Sequence, residues 1–280
     1  MKRFLVTFSL LAVFIPPVIA CTLPVGEKLT IGCTYNCDFF YKLRLNLAAR
    51  NLGYKINIIS LPESDSANHG LDLVDGVLAP GGADIDPKYY MSKVTPELRE
   101  YTQANLSLVK FTKEGKERDE FEYQLMSTYS QNDKFKKLPM LGICRGMQMM
   151  TVTQGIPLYL DLKTEMGIKN RRYVIDRIDL VQSANRISDV YINESIKGFK
   201  NHHQGLRVPY WNDHKDEFPN VKVTGYSHDG NIAEVIEYQH RTAIGVQYHP
   251  EKSFTSTSAP IMKWLLTRAC EYKSSLKDSP

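Results

Sequence analysis

Between Leu29 and Tyr272, short apolar runs of strand length alternate with longer segments of helical period, and this alternation confines the chain to an α/β fold. Leu29–Gly32, Lys55–Leu61, Gly76–Pro80, Met140–Ile143 and Ala243–Tyr248 read as buried strands. Phe39, Phe40, Leu43, Leu47 and Leu52 recur at helical spacing, and Gly53 supplies a C-terminal stop. Arg118–Tyr129 carries Phe121, Leu125, Met126 and Tyr129 at the same period, Gly146–Gln154 follows a strand as a helix, and Ile261–Tyr272 closes the chain. Parallel strands need such crossovers, so the expected fold is a mostly parallel sheet with helices on both faces. Val221–Glu237 departs from the pattern: two alternating strands flank Asp229-Gly230, a hairpin signal. Without an internal repeat or a linker, residues 29–275 read as one domain.

Composition removes several classes of function. Hydrophobic residues at 42% and charged residues at 24% fit a globular domain rather than a disordered or coiled-coil chain. A net charge of +4, with no run of five basic residues, gives nucleic acid no electrostatic footprint. The five cysteines, Cys21, Cys33, Cys37, Cys144 and Cys270, lack the Cys-x-x-Cys spacing of a zinc site and are too scattered for a disulfide scaffold. Cys33 and Cys37 read equally as free thiols or as a small-loop disulfide. His202 and His203 are adjacent and point apart, so no metal is expected, and no cofactor. Met147, Met149 and Met150 read as core of the third helix, and Tyr210 and Trp211 as packing residues.

The first 20 residues have a different character. Lys2 and Arg3 precede an uncharged stretch that Pro16-Pro17 interrupts after twelve apolar positions, too short for a spanning helix of about 20 residues. This is the form of a secretory signal peptide, with Val18-Ile19-Ala20 as the cleavage site. Val-Ile-Ala-Cys resembles a bacterial lipobox, so the sequence predicts export, lipidation of Cys21, and residues 21–28 as a tether to a membrane. The expected location is periplasmic or membrane-anchored, with a cytoplasmic enzyme as the alternative.

Chemistry-bearing residues gather in three places. In Leu141-Gly-Ile-Cys-Arg-Gly146 a strand meets a helix with Cys144 at the corner and a glycine two residues to each side, the nucleophile-elbow pattern with Cys for Ser. A thiol at a helix N-terminus is favoured as thiolate, and the N–H groups there can hold an oxyanion. In Gly245-Val-Gln-Tyr-His249-Pro-Glu251 the two titratable residues fall on one side of an extended backbone, so Glu251 can hold the imidazole while its other nitrogen faces a thiol. In Gly76-Val-Leu-Ala-Pro-Gly-Gly-Ala-Asp-Ile-Asp-Pro87, a diglycine past a strand lets backbone N–H groups approach a ligand.

With Arg118-Asp-Glu-Phe-Glu122, His202-His-Gln204 and Ser227-His-Asp-Gly230, these motifs resemble, in family order, the class I glutamine amidotransferase-like family and its free-standing γ-glutamyl hydrolase branch. The resemblance spans nearly all of the chain past the signal. It implies a flavodoxin-like α/β domain, a Cys144–His249–Glu251 triad, and an oxyanion hole from the N–H groups of Gly82 and Arg145. Gln148 matches a position near the bound γ-glutamyl group, and Gly81, His203 and Gln204 are the further substrate contacts expected. Two departures stand out: Phe199-Lys200 occupy the place of the family's Asn-Ser, and most bacterial members of the branch look cytoplasmic.

The expected activity is therefore cysteine-dependent hydrolysis of γ-glutamyl amides through a thioester. The leaving amine is open between γ-aminobutyrate, a polyamine, a short peptide and folate polyglutamate. One rival is a glutaminase subunit feeding ammonia to a synthetase; the other is a non-catalytic binding protein on the same scaffold.

Overall fold

The structure, a computed structural model, describes residues 21–64, 66, 68–168, 172–181, 186–252 and 258–277. The expected signal peptide, residues 1–20, lies outside them. The strands are β1 (Lys28–Cys33), β2 (Lys55–Ser60), β3 (Gly76–Ala79), β4 (Met140–Ile143), β5 (Leu158–Tyr159), β6 (Arg172–Leu180), β7 (Ser195–Asn201), β8 (Gly205–Leu206), β9 (Val221–Ser227), β10 (Ile232–Tyr238) and β11 (Ala243–Val246). The α-helices are α1 (Phe39–Leu52), α2 (Lys88–Met91), α3 (Pro96–Ala104), α4 (Lys113–Gln131), α5 (Arg145–Thr153), α6 (Leu162–Met166), α7 (Arg186–Val190), α8 (Val208–Asp213) and α9 (Ser258–Lys277).

Nine strands form one sheet in the order β2-β1-β3-β4-β11-β10-β9-β6-β7, and β5 pairs with β8 apart from it. The five strands β2-β1-β3-β4-β11 run parallel in the 2-1-3-4-5 order of flavodoxin-like folds. Helical crossovers pass through α1 between β1 and β2 and through α4 between β3 and β4, whereas β2 and β3 are joined by a loop with a 3-10 turn. The antiparallel wing holds more than the expected hairpin of β9 and β10, because β6 and β7 extend it. Within the hairpin turn His228, Asp229 and Gly230 all take positive φ.

Alternation along the strands feeds two cores. Val77 and Ala79 face α4 and α5, where Leu125, Met126, Met147, Met149 and Met150 pack. Leu78, Leu141 and Ile143 face α1 and α9 on the other side. Tyr210 stacks on His214 with ring centroids 4.1 Å apart, and Trp211 packs against the first core.

Two sequence expectations are corrected here. The periodic set Phe39, Phe40, Leu43 and Leu47 is exposed, while Tyr41, Leu45, Ala48 and Ala49 form the buried seam of α1. The helix carries two apolar stripes, and the one with the smaller side chains lies against α9. The second correction concerns Cys21, whose sulfur is bonded to Cys270 of α9. A sulfur in a disulfide cannot carry a thioether-linked lipid, so lipidation of Cys21 is overturned. Nor is the segment from Cys21 a loose tether: Tyr54 donates its hydroxyl to the Cys21 carbonyl at 2.6 Å, and Leu23 packs on the second core. Cys33 and Cys37 also form a disulfide, leaving Cys144 as the free thiol.

Candidate active site

Ligands of open parallel sheets bind beyond the carboxyl ends of the strands. Three neighbouring strands end here in the motifs singled out above: β3 in Pro80-Gly81-Gly82, β4 in Cys144, and β11 in Gln247-Tyr248-His249. Sheet register brings them together, with Ala79 opposite Gly142 and Ile143 opposite Val246.

Cys144 has φ 52° and ψ −105°, a conformation that costs an L-residue of the order of 1–3 kcal/mol. The crowding that makes glycine necessary around it is explicit. A Cβ on Gly142 would stand 2.8 Å from the Gly146 carbonyl carbon, and one on Gly146 would stand 2.1 Å from the Ala79 oxygen. The thiol carbon therefore sits on a tight strand-to-helix corner, and Arg145 opens α5 with an N–H that has no acceptor within the helix.

His249 is held from both directions. Its amide donates to the Phe199 carbonyl at 2.7 Å, and its Nδ1 lies 2.6 Å from Glu251 Oε1. Burial alone would lower the imidazole pKa, but the Cys144 sulfur and the Glu251 carboxylate together push it up to about 10. A ring so placed holds its proton at neutral pH. The Glu251 carbonyl is taken by Arg44 Nε at 3.2 Å, which fixes the turn after His249.

A cavity of about 290 Å³ opens over Cys144 and is lined by Gly82, Asp84, Lys110, Gln148, Tyr173 and the run Asn201–Gln204, among others. Of the expected substrate contacts, Gln148, His203 and Gln204 are all on this wall. Gln148 donates to the Gln204 carbonyl (3.1 Å) and to Gln247 Oε1 (3.2 Å). His203 is fixed between Asp84 Oδ1 at 2.8 Å and Asp161 Oδ2 at 3.2 Å. Gln204 offers a buried amide nitrogen with no hydrogen-bond partner among the described residues. Gly81 is not part of this wall, and its N–H donates to the Tyr41 hydroxyl at 2.9 Å. Of Phe199-Lys200, the lysine turns away from the cavity, its ammonium fully buried against Glu234 at 2.7 Å and Asp176 at 3.3 Å. The Phe199 ring instead stands edge-on to His249 and to the cavity-lining Tyr173, with centroids 6.4 Å apart in both pairs.

Several participants were not found by reading the sequence. Gln247 Nε2 lies 3.5 Å from the Cys144 sulfur. Arg118, quoted above only as a motif residue, donates to the carbonyls of Gly81 (2.9 Å) and Pro80 (3.0 Å), while Arg145 donates to that of Ala83 at 2.9 Å. Both guanidiniums share the buried Glu122, and Arg145 also pairs with Asp119 at 2.7 Å. Burial would raise the Glu122 carboxyl, but Arg145 and Arg118 hold it below its usual value. This ionic cluster fixes the carbonyls of the turn after β3 on its rear side, and the signal for it in the sequence is the Arg118–Glu122 spacing of one helical turn.

Comparison with known proteins bears on the family and the fold. The family described as Peptidase C26 matches residues 41–251. The protein NtpR of Enterococcus hirae is 30% identical over 213 residues, covering 71% of this chain and 75% of that one. The glutaminase domain of Trypanosoma brucei CTPS, solved with bound acivicin, shares the fold with a TM-score of 0.64 at 14% identity, over 87% of this chain and 94% of that one. A glutamine amidotransferase from Thermotoga maritima has a TM-score of 0.52 at 16% identity, over 90% of this chain and 85% of that one. On the family match and the NtpR likeness together, the chain belongs to the Peptidase C26 family of class I glutamine amidotransferase-like proteins.

Proposed function

We propose that this protein hydrolyses γ-glutamyl amide bonds with Cys144 as nucleophile, His249 as proton carrier and Glu251 as the group that orients the ring. The observation that carries this reading is the convergence of a thiol on a strained elbow, which lines that cavity, and a buried imidazole whose pKa that thiol raises. The thiolate attacks the γ-carbonyl carbon, and the N–H groups of Gly82 and Arg145 receive the developing oxyanion. His249 gives its proton to the leaving amine, the C–N bond breaks, and a γ-glutamyl thioester remains. A water deprotonated by His249 then hydrolyses the thioester, releasing glutamate and restoring the thiol. Gln148 and Gln204 supply hydrogen-bonding groups for the glutamyl part from the cavity wall, and His203, whose two ring nitrogens are held by Asp84 and Asp161, contacts it through the face of its ring.

We also propose that the chain is exported. Two disulfides support this, since such bonds persist mainly in oxidising compartments. Together with the signal-like residues 1–20, they favour a processed protein starting at Cys21.

The test is a panel on the purified protein: γ-glutamyl amides of γ-aminobutyrate, of a polyamine and of a short peptide, folate polyglutamate, and glutamine itself. Glutamate release from the γ-glutamyl compounds is the expected result. Release from glutamine alone would favour a glutaminase, the activity named for the Trypanosoma brucei domain. No release from any of them would favour a binding protein on the same scaffold.

A further inference from the structure

Tyr41 belongs to α1, not to any of the three motifs, yet its side chain ends inside the catalytic cluster. The residue is 5% exposed, and its hydroxyl oxygen accepts the Gly81 N–H at 2.9 Å. A Cβ added to Gly81 would meet His249 Cε1 at 2.9 Å, the Tyr41 hydroxyl at 3.2 Å and Cys144 Cβ at 3.5 Å, so these three side chains close around one backbone atom. Glu251 Oε1 is occupied by His249, whereas Oε2 is buried with no hydrogen-bond partner in the described structure. A phenol that accepts through its lone pair still has an O–H to give.

We propose that Tyr41 is a positioning residue of the hydrolysis, a phenol that accepts the Gly81 N–H and donates toward Glu251, so that the turn after β3 and the His249–Glu251 pair are set by one hydroxyl. This rests on the reading of Cys144, His249 and Glu251 as the catalytic residues. Three consequences follow from the chemistry. With its N–H held by Tyr41 and its carbonyl by Arg118, Gly81 is fixed in orientation, and with it the peptide that carries the Gly82 N–H assigned to the oxyanion. Donation toward Glu251 would give its second carboxylate oxygen the donor it lacks among the described residues and thereby restrain the imidazole. Finally, burial, the Glu251 carboxylate and the Cys144 sulfur keep the phenol protonated well above its ordinary range, so the donor persists at any working pH. Placement of the hydroxyl is aided by the Cys33–Cys37 disulfide, which closes the β1–α1 connection just before Asp38 caps the helix.

The test is Tyr41→Phe, which deletes the hydroxyl and keeps the ring. Turnover of the best γ-glutamyl substrate is expected to fall about tenfold to a hundredfold in kcat with KM little changed, because the loss is in alignment rather than in substrate contact. Iodoacetamide alkylation of Cys144, which needs no substrate, is expected to slow several-fold near neutral pH, with its pH midpoint displaced upward. Leu45→Ala, on the same buried seam of α1, is the packing control: it should lower the melting temperature and leave the alkylation profile in place. Should Tyr41→Phe fail to fold, 3-fluorotyrosine at position 41 keeps the shape and makes the phenol a stronger donor and a weaker acceptor; kcat and the alkylation rate should then change while the melting temperature holds. Wild-type kcat and alkylation in Tyr41→Phe, or in the fluorotyrosine protein, would overturn the proposal. If wild-type protein cleaves no γ-glutamyl compound but Tyr41→Phe still slows alkylation, the substrate reading fails and the role of Tyr41 stands.

Discussion

The Cys144 amide donates to the Val246 carbonyl at 2.7 Å, so the strand carrying the thiol and the strand carrying the imidazole are joined at the point where both leave the sheet. The distance between nucleophile and base is therefore a property of sheet register, not of loop conformation. Cys144→Ala should then abolish turnover by several orders of magnitude without loss of fold, measured by glutamate release beside far-UV circular dichroism. Because residue 144 keeps its positive φ, Cys144→Gly should be more stable than Cys144→Ala by about 1 kcal/mol in urea unfolding.

The base and its partner should separate in size of effect. His249→Asn removes proton transfer and is expected to cost as much as the Cys144 change. Glu251→Gln keeps an acceptor near Nδ1 and should cost less, since orientation is the smaller contribution. Steady-state kinetics on both variants checks the order; equal activity in wild type and His249→Asn would point to His202 or His203 as the base.

Protonation of His249 should depend on Cys144. In the wild type the ring stays cationic up to about pH 10. Removing the sulfur in Cys144→Ala deletes the largest upward influence and leaves burial, which acts downward, so the ring should titrate at lower pH. Imidazole nitrogen shifts in NMR follow this directly, and an unchanged titration would contradict a thiolate–imidazolium pair.

Glu122 carries both buried guanidiniums and also accepts from Thr34 at 2.8 Å. Glu122→Ala leaves two buried cations short of their shared anion and should destabilise by about 3–5 kcal/mol in urea unfolding. For the wild type the sign with pH follows from the depressed carboxyl: this contribution is full above the ordinary carboxylate range and is lost as pH falls through the lowered value.

Labelling can count the thiols. Of the five cysteines, four are in disulfides, so the native protein unfolded without reductant should take one maleimide, at Cys144, and five after reduction. N-terminal sequencing of the natively produced protein should begin at Cys21.

Much of the site was legible because it is local in sequence. The glycines around Cys144, the His249-Pro-Glu251 spacing and the diglycine each announce a strand end, and parallel topology brings strand ends together. What stayed hidden is held by distant partners. Tyr41 reaches the site only because the smaller of two apolar stripes on α1 packs inward, and periodicity cannot choose between two stripes. Gln247 reads as one more residue of a buried strand until β4 places it beside the thiol. β6, whose Asp176, Arg177 and Asp179 break any apolar run, gives little strand signal. The Cys21–Cys270 bond joins residues 249 positions apart, a separation no spacing rule reaches.

That bond closes nearly the whole described chain into a single covalent ring. On the chain-entropy relation, restricting a loop of this length in the unfolded state is worth about 5.5 kcal/mol. Its more practical effect concerns damage: one proteolytic cut anywhere between Cys21 and Cys270 opens the ring but separates nothing. Both fragments stay attached through the sulfur bridge, with the sheet and its strand ends still in one piece.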